Sequence, residues 1–461
     1  MAEEEKRGIV FITSKVYEQA VGALDIYRCI TLVGPSGCGK TLTALQLASR
    51  KCEKDGGSKL YFRQTLEEIL AIAKNDINAY IIVDDWIDKY LYFPSTLYPA
   101  IDCLNKTYVK YIKDTKIHLI LTAQEDKWNR IRSLLNACCL FNEPHLLTIN
   151  SKIFSQKGKR NMVLRHFECF DIEEKEDSVD EETSNLMKRT TFVQKGTVDN
   201  IVMNIKEEQE FSFPLVVDLI CNNIRLLRTL DCVFKYGFEE TLTKYFDTWS
   251  NDTYIKEKRS FCILVFAALL GGEISPRDLS AQKTGAMYKR ICREYACQSN
   301  ANISVQKETD GNELIEQQSE LFETNLRLKS CLYRSSKGQG CPCFVFQHSS
   351  LVRFVLLYIK KRKGESFIIK NATIEVLLNK CWLEVPFADK IVNRKKYTSL
   401  KSLEGSVIFS KKYFLPLAER ILSEMQNGEC IPEWDKHVFL SNEKFLKVWN
   451  SIDTSHVKDI V

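Results

Sequence analysis

A glycine-rich octet separates a short apolar run from a segment with helical periodicity. The octet consists of Gly34, Pro35, Ser36, Gly37, Cys38, Gly39, Lys40 and Thr41. The run before it, Ile30-Thr31-Leu32-Val33, is β-branched and predicts a buried parallel strand. After the octet, apolar residues recur on one helical face between Leu42 and Ala48. The Gly-x4-Gly-Lys-Thr spacing between a strand and a helix predicts a phosphate-binding loop.

The chemistry of such a loop follows from its residue types. Glycines let the backbone turn its N–H groups toward a polyphosphate, and the following helix adds the positive end of its dipole. Lys40 is expected to contact the β- and γ-phosphates, and the hydroxyl of Thr41 is expected to bind Mg²⁺. The ligands predicted from the octet are therefore ATP or ADP with Mg²⁺, and all eight of its residues are candidate nucleotide contacts.

Two later strand ends supply candidate catalytic residues. Asp84 and Asp85 directly follow the apolar run 81–83. If that strand lies beside the P-loop strand, Asp84 reaches Mg²⁺ through water and Asp85 polarises the attacking water. The alternative is that one of the two acids caps the next helix. Thr122, at the end of the run 117–122, is a candidate sensor of the γ-phosphate, and a hydroxyl bonded to backbone is its alternative role.

Strand and helix signals alternate in the first third of the chain. Apolar runs cover residues 30–33, 60–62, 80–83 and 117–122, with helix-length segments between them. This alternation predicts an α/β fold with a parallel sheet covered on both faces. A chain of 461 residues is also too long for one hydrophobic core. The expected organisation is a P-loop NTPase core at 1–150, a helical lid at 151–235, a winged-helix-like helical region at 236–380 and a small C-terminal domain at 381–461.

Composition narrows the classes of function. The net charge of +5 is small for this length and does not favour a nucleic-acid binder. The basic runs 360–363 and 394–396 are accordingly expected to be solvated helix ends. The acidic start lacks the pattern of a signal peptide, so the 17 cysteines are expected to be reduced in the cytoplasm. Cys38 is expected to serve as a small residue in a tight turn, and only an exposed thiol there would make nucleotide binding sensitive to oxidation.

Other segments predict structure rather than chemistry. The apolar run 261–270 is too short to span a membrane and predicts a buried helix. Acidic residues crowd the stretch 167–182, which predicts an exposed loop, and residues 298–325 predict a polar insertion. Cysteines and a histidine also cluster between residues 331 and 348, but their spacing is poor for zinc and favours packed, reduced thiols. They are Cys331, Cys341, Cys343 and His348.

The stretch from Phe11 to Ala20, ahead of the P-loop strand, resembles the start of the novel STAND NTPase type-three family, which is related to NACHT and AAA+ signalling ATPases. Asp84, Asp85 and Thr122 match later strand ends of that family. The chain departs from the family's Thr-Ser-Arg pattern, because Gln124 stands where the arginine is expected. Over 211–215 the chain resembles the family's Gly-Phe-Pro motif, with serine in place of glycine.

The resemblance implies further site residues. Pro214 would pack near the adenine, although its position also suits a proline that starts a helix. Tyr17, in the opening stretch, is assigned to the nucleotide site on the same ground.

The resemblance also implies a function. It is that of a signal-transduction ATPase, held in one state by ADP and released by ATP, with slow hydrolysis and homo-oligomerisation on activation. An innate-immune setting and protein partners that supply sensor or effector functions come from the same resemblance. The alternatives are an interaction scaffold that binds nucleotide with little or no hydrolysis, and a conventional turnover ATPase. In the latter, Arg130 and Arg132 are possible neighbours of a partner's nucleotide.

Overall fold

The computed structural model describes most of the chain, and its Cα positions divide into two compact units, Met1–Glu240 and Thr241–Val461. The described residues are 11, 13–135, 138–149, 154–175, 190–205, 211–275, 277–278, 281–295, 331–335, 343–383, 407–427, 431 and 434–452. The expected insertion at 298–325 and the basic run 394–396 lie outside them.

A five-stranded sheet forms the centre of the first unit. Its strands are β1 (Cys29–Gly34), β2 (Lys59–Arg63), β3 (Asn78–Val83), β4 (Lys116–Gln124) and β5 (Leu146–Thr148). They lie in the order β2-β3-β4-β1-β5, and every pairing between them is parallel. The α/β fold predicted from the sequence is confirmed, and the four apolar runs are the first four strands. β5 was not predicted.

One expectation about the sheet is wrong: β3, which carries the two aspartates, does not lie beside the P-loop strand. β4 lies between them, with Leu32 opposite Thr122 and Val83 opposite Leu121. Central strands of a parallel sheet are covered on both faces, and β4 is buried at every position except its first residue. All three carboxyl ends nevertheless meet at one edge of the sheet.

Helices cover both faces of this sheet. Those of the core are α1 (Lys15–Tyr27), α2 (Lys40–Asp55), α3 (Glu67–Asn75), α4 (Ile87–Tyr92), α5 (Leu97–Thr107) and α6 (Glu125–Leu135). Ala20 and Leu24 of α1 pack with Ala44 and Leu47 of α2 in one apolar cluster against the sheet. α2, which begins at Lys40 directly after the P-loop, is thereby packed against α1 and the sheet.

The rest of the first unit contains helices and a small parallel strand pair. Its elements are α7 (Gln156–Cys169), β6 (Ile172–Lys175), β7 (Thr191–Gln194), α8 (Thr197–Asn204), α9 (Phe213–Cys221), α10 (Ile224–Leu227) and α11 (Leu230–Tyr236). The expectation of an exposed acidic loop over 167–182 is partly wrong. Residues 167–169 are helical, and Ile172 is buried in a strand opposite Thr191. Glu174 accepts from the backbone N of Val198 at 2.7 Å. The acids beyond 175 lie outside the described residues.

Helices also dominate the second unit. Its elements are α12 (Phe238–Ser250, which crosses the division), α13 (Ile255–Leu269), β8 (Glu273–Ile274), α14 (Gln282–Glu294), β9 (Leu332–Ser335), β10 (Cys343–Phe346), α15 (Ser349–Lys363), α16 (Glu365–Asn371), α17 (Ile374–Lys380), β11 (Cys381–Leu383), β12 (Val407–Phe409), α18 (Phe414–Gln426) and α19 (Glu443–Ser451). β8, β10 and β9 form an antiparallel sheet in that order.

Two expectations for the second unit are confirmed. The apolar run at 261–269 is fully buried in α13, and the basic run 360–363 is the last turn of α15. Within the part of the chain that the structure describes, no helix is long and apolar enough to cross a membrane.

Candidate functional site

The P-loop is shaped by two glycines that no other residue could replace without movement. A Cβ at Gly34 would lie 2.3 Å from the carbonyl oxygen of Ile149. Gly37 has a φ of +72°, and a Cβ there would lie 2.5 Å from the Cβ of Leu215. Both distances are far below van der Waals contact, so glycine is required at each position. Glycines at these positions let the loop turn backbone N–H groups toward an anionic ligand.

Lys40 is the first residue of α2 and is buried within the loop. Its Nζ donates to the carbonyl oxygens of Gly34 at 3.0 Å and Pro35 at 2.9 Å. These contacts keep the ammonium group at the phosphate-binding loop, where a polyphosphate would be its natural partner.

Thr41 and Asp84 meet across the edge of the sheet. The Thr41 hydroxyl donates to Asp84 Oδ1 at 2.7 Å, and the Thr122 hydroxyl donates to the same oxygen at 2.6 Å. These two bonds join α2, β3 and β4 through one carboxylate. Hydroxyl and carboxylate oxygens are the hard ligands that Mg²⁺ prefers, so these residues fit a magnesium site.

Burial shapes the chemistry of Asp84. It raises the pKa of this carboxyl above the ordinary value, and the adjacent charge of Asp85 acts in the same direction. The hydrogen bonds from Thr122 and Thr41 oppose that shift, because they stabilise the ionised form. A divalent cation beside Asp84 would favour the ionised form further.

Asp85 occupies a constrained position just after β3. Its φ is +48°, a left-handed conformation uncommon for a residue with a side chain. The Asp85 backbone N donates to the Thr122 hydroxyl at 2.9 Å. Among the described residues, Asp85 Oδ1 has no hydrogen-bond partner although it is buried. The carboxylate therefore has a free acceptor at the edge where the phosphates would bind.

Thr122 is fully buried and bonds to both acids. Its hydroxyl donates to the Asp84 side chain while it accepts from the Asp85 backbone. The geometry confirms the bond to backbone and adds a role that was not expected, the orientation of the pair of acids, while the role of γ-phosphate sensor stays a prediction. A sensing role would act through those acids.

Lys127 was missed at the sequence level, and it lies beside the second acid. Its Nζ is 2.5 Å from Asp88 Oδ1 and 3.8 Å from Asp85 Oδ2. Burial alone would lower the Lys127 pKa, but these carboxylates hold it above the ordinary value. The available signal was a lysine three residues after the end of a strand whose carboxyl end reaches the P-loop.

Pro214 lies in the first turn of α9, so its role as a helix-starting proline is confirmed. The neighbouring Leu215, which sequence reasoning did not select, is the residue that packs on the P-loop at Gly37. Ser212, in place of the motif's glycine, is the N-cap of α9 and is buried. This lid segment therefore contacts the loop through an apolar side chain.

Cys38 and Tyr17 both belong to the apolar cluster beneath the loop. Cys38 is 5% exposed and burial raises its pKa, so the condition for a redox-sensitive thiol at this position is not met. The Tyr17 ring is buried against Phe11, with their centroids 5.2 Å apart, and Arg50 lies over it at 5.5 Å. Both side chains are therefore core residues in this structure, and the assignment of Tyr17 to the nucleotide site stays a prediction.

Other candidate residues take structural roles. Arg130 forms an ion pair with Asp126, 3.8 Å apart on the same helix. In the second unit, His348 caps α15 by accepting from the backbone N of Ser350 at 3.1 Å. Cys343 donates to Glu273 at 2.7 Å. Cys341 lies outside the described residues, within which no group of three or more His, Cys, Asp or Glu side chains is arranged to hold a metal.

The loop, the buried lysine and the two acids that follow β3 define a nucleotide-binding NTPase of the P-loop class. Residues 11–169 match the family model described as Novel STAND NTPase 3, so the resemblance drawn from the sequence is confirmed over this segment. No curated protein matches the chain.

Several solved structures have similarity over most of their length. The ORC2 protein of Aeropyrum pernix, in ADPNP-ADP complexes, has 10% identity and a TM-score of 0.30, covering 76% of this chain and 93% of that one. The Walker-type ATPase of Pyrococcus abyssi has 9% identity and a TM-score of 0.31, covering 74% and 95%. AMPPCP-bound DnaA from Aquifex aeolicus has 15% identity and a TM-score of 0.29, covering 68% and 87%. At these TM-scores the similarities carry no argument.

Proposed function

We propose that the chain is a signalling ATPase of the STAND type, in which the bound nucleotide controls conformation and oligomerisation and ATP hydrolysis is slow. The observation that carries this proposal is the packing of Leu215 on Gly37. The lid helix α9 rests on the loop that would hold the β-phosphate. Any displacement of the loop by a nucleotide is therefore transmitted to α9.

The residues divide the chemistry among them. Lys40 and the loop N–H groups bind the phosphates, and Thr41 with Asp84 would hold Mg²⁺. When bound, the metal neutralises charge on the transferred phosphoryl group. Asp85, with its free carboxylate oxygen, orients and polarises the attacking water. Thr122 keeps both acids in place through its two hydrogen bonds.

A nucleotide-controlled switch requires contacts that the protein makes with ATP and not with ADP. ATP and ADP differ only in the γ-phosphate, so a change of state requires groups that bind this phosphate in one state and not the other. Asp85 and the loop are positioned for that difference, and Leu215 couples the loop to the lid. Pro214, at the start of the same helix, would by the family resemblance pack near the adenine. Oligomerisation and protein partners that supply sensor or effector functions belong to this proposal.

The first test is the nucleotide that the purified protein retains, with Lys40→Ala as the comparison, followed by single-turnover ATP hydrolysis. Retained ADP that the variant loses, with turnover far below the typical enzyme rate of about 10 per second, would support the switch. Fast steady turnover would favour a conventional ATPase. Retention without hydrolysis would favour a scaffold. A wild-type protein that neither retains nor rebinds ATP or ADP would refute nucleotide binding itself.

A further inference from the structure

Lys127 occupies a position that is unfavourable for a cation unless a partner compensates it. It lies in the first turn of α6, which begins at Glu125 immediately after β4 ends at Gln124. The positive end of a helix dipole disfavours a positive side chain there by about 0.3–1 kcal/mol. Gln124 lies opposite Gly34 in the sheet, so this helix start is at the same edge as the P-loop.

Two carboxylates compensate the charge. Lys127 Nζ lies 2.5 Å from Asp88 Oδ1 and 3.8 Å from Asp85 Oδ2, and the lysine side chain is only 19% exposed. The next residue, Trp128, is buried and packs edge-on against Phe141, with their centroids 5.6 Å apart. The backbone of α6 is thus anchored, so that a change of partner by Lys127 would require only rotation of its side chain.

The bond with Asp88 is of a kind that a phosphate can replace. The Asp88 side chain is 38% exposed although its Oδ1 is buried, so water can solvate the carboxylate when the lysine leaves it. A phosphate oxygen is a stronger, charge-assisted partner, and the four-carbon stem of lysine is flexible enough to reach a new one. The second contact, to Asp85, places Nζ beside the group that we assign to the attacking water.

We infer that Lys127 distinguishes ATP from ADP, by exchanging the carboxylate of Asp88 for the γ-phosphate. This inference rests on the proposed function, since it concerns the same site. The exchange gives ATP one charged contact that ADP lacks. Asp88 is then a competing partner that holds the lysine when no γ-phosphate is present.

A purely structural role is the rival explanation. In it, the ion pair only ties the start of α6 to α4, and Lys127→Met damages the site by leaving Asp88 without its partner. The double variant Asp88→Asn/Lys127→Met removes both charges and so leaves no uncompensated carboxylate at position 88. It therefore separates the two explanations even if the single variant folds poorly.

The experiment compares the dissociation constants of ADP and of a non-hydrolysable ATP analogue, both with Mg²⁺. Lys127→Met and the double variant are expected to raise the dissociation constant of the analogue about tenfold or more, which is the effect of losing one charged hydrogen bond. The dissociation constant of ADP should remain nearly unchanged. Lys127→Arg should keep most of the preference. Lys106→Met is the matched control, because it breaks an exposed Lys–Asp pair of the same 2.5 Å length.

A wild-type ratio of the two constants in the double variant would overturn the inference. Failure of the proposed function is a different result: wild type would then bind neither nucleotide, or the Lys40→Ala variant would bind both nucleotides as tightly as wild type does. Neither of those outcomes depends on Lys127.

Discussion

Leu215 packs on the backbone of the P-loop at Gly37, so closely that a Cβ on that glycine would lie 2.5 Å from the leucine Cβ. The contact joins two segments more than 170 residues apart in the sequence. Leu215 is 5% exposed, and its contact with the loop leaves room for no side chain at position 37. The lid and the phosphate-binding loop therefore share one packed interface, and each constrains the other.

Leu215→Ala is expected to loosen the lid and speed nucleotide release. Truncation of a buried leucine costs about 2–5 kcal/mol of stability, and here part of that loss falls on the contact with the loop. Stopped-flow release of a fluorescent ADP should be several-fold faster. Leu219→Ala, one turn further along α9 and equally buried, is the matched control. Equal release rates in the two variants would show that the contact does not control the nucleotide.

Thr41→Val should remove the dependence of ATP binding on Mg²⁺. The substitution keeps the shape of the side chain but deletes the hydroxyl that bonds to Asp84 at 2.7 Å. We expect affinity in the presence of Mg²⁺ to fall about tenfold, toward the value measured with a chelator, because one metal ligand is lost. Calorimetry with and without Mg²⁺ measures this, and Thr41→Ser should behave as wild type. An undiminished response of Thr41→Val to Mg²⁺ would exclude Thr41 as a ligand.

Asp85→Asn should slow the chemical step and spare binding. Loss of a general base reduces rates by about 10²–10⁴-fold, and asparagine tolerates the positive φ found at this position. Single-turnover hydrolysis should fall within that range while the dissociation constant of ATP changes little. Asp171→Asn is a suitable control, since Asp171 also has a positive φ but is not among the site residues. If hydrolysis is unchanged in Asp85→Asn, another group activates the water.

The sequence predicted those parts of the site that depend on local pattern. A β-branched run, three glycines and Lys40-Thr41 suffice for the loop, because strand, turn and helix are neighbours in the chain. The paired acids at 84 and 85 were also found at a strand end. The order of the strands was not predictable in this way. Parallel strands are joined by crossovers of helix length, and a crossover can place the next strand on either side. For this reason β4 was not expected between β1 and β3.

The missed residues share a different property: each acts through a partner remote in sequence. In the sequence, Leu215 resembles any core leucine of an amphipathic helix, and only the folded structure shows its contact with Gly37. In the sequence, Lys127 resembles an ordinary solvated lysine, and only the folded structure shows that Asp85 and Asp88 lie beside it. β5 was missed for lack of length, since a three-residue strand has no periodicity to detect.

Acid should destabilise the protein in part through His118. Burial lowers the pKa of this histidine to about 4, and the nearby charge of Arg28 acts in the same direction. The Arg28 guanidinium donates to His118 Nε2 at 2.6 Å, so that nitrogen must stay unprotonated for the bond to persist. The unfolded chain binds the proton near the ordinary value of 6.5 and the folded chain near 4. Stability from this group is therefore complete above about pH 6.5 and is lost as pH falls toward 4.

His118→Gln should reduce the loss of stability at low pH, because the amide oxygen can still accept from Arg28 and does not titrate. The measurement is urea unfolding of wild type and variant at several values between pH 7 and pH 5. We expect the two free energies of unfolding to converge as pH falls, by up to about 1.4 kcal/mol per pH unit for one proton. His166 and His437, whose pKa values burial also lowers to about 4, keep a residual slope in both proteins. Parallel curves would mean that His118 titrates alike in the folded and unfolded chains, and that its bond with Arg28 does not resist protonation.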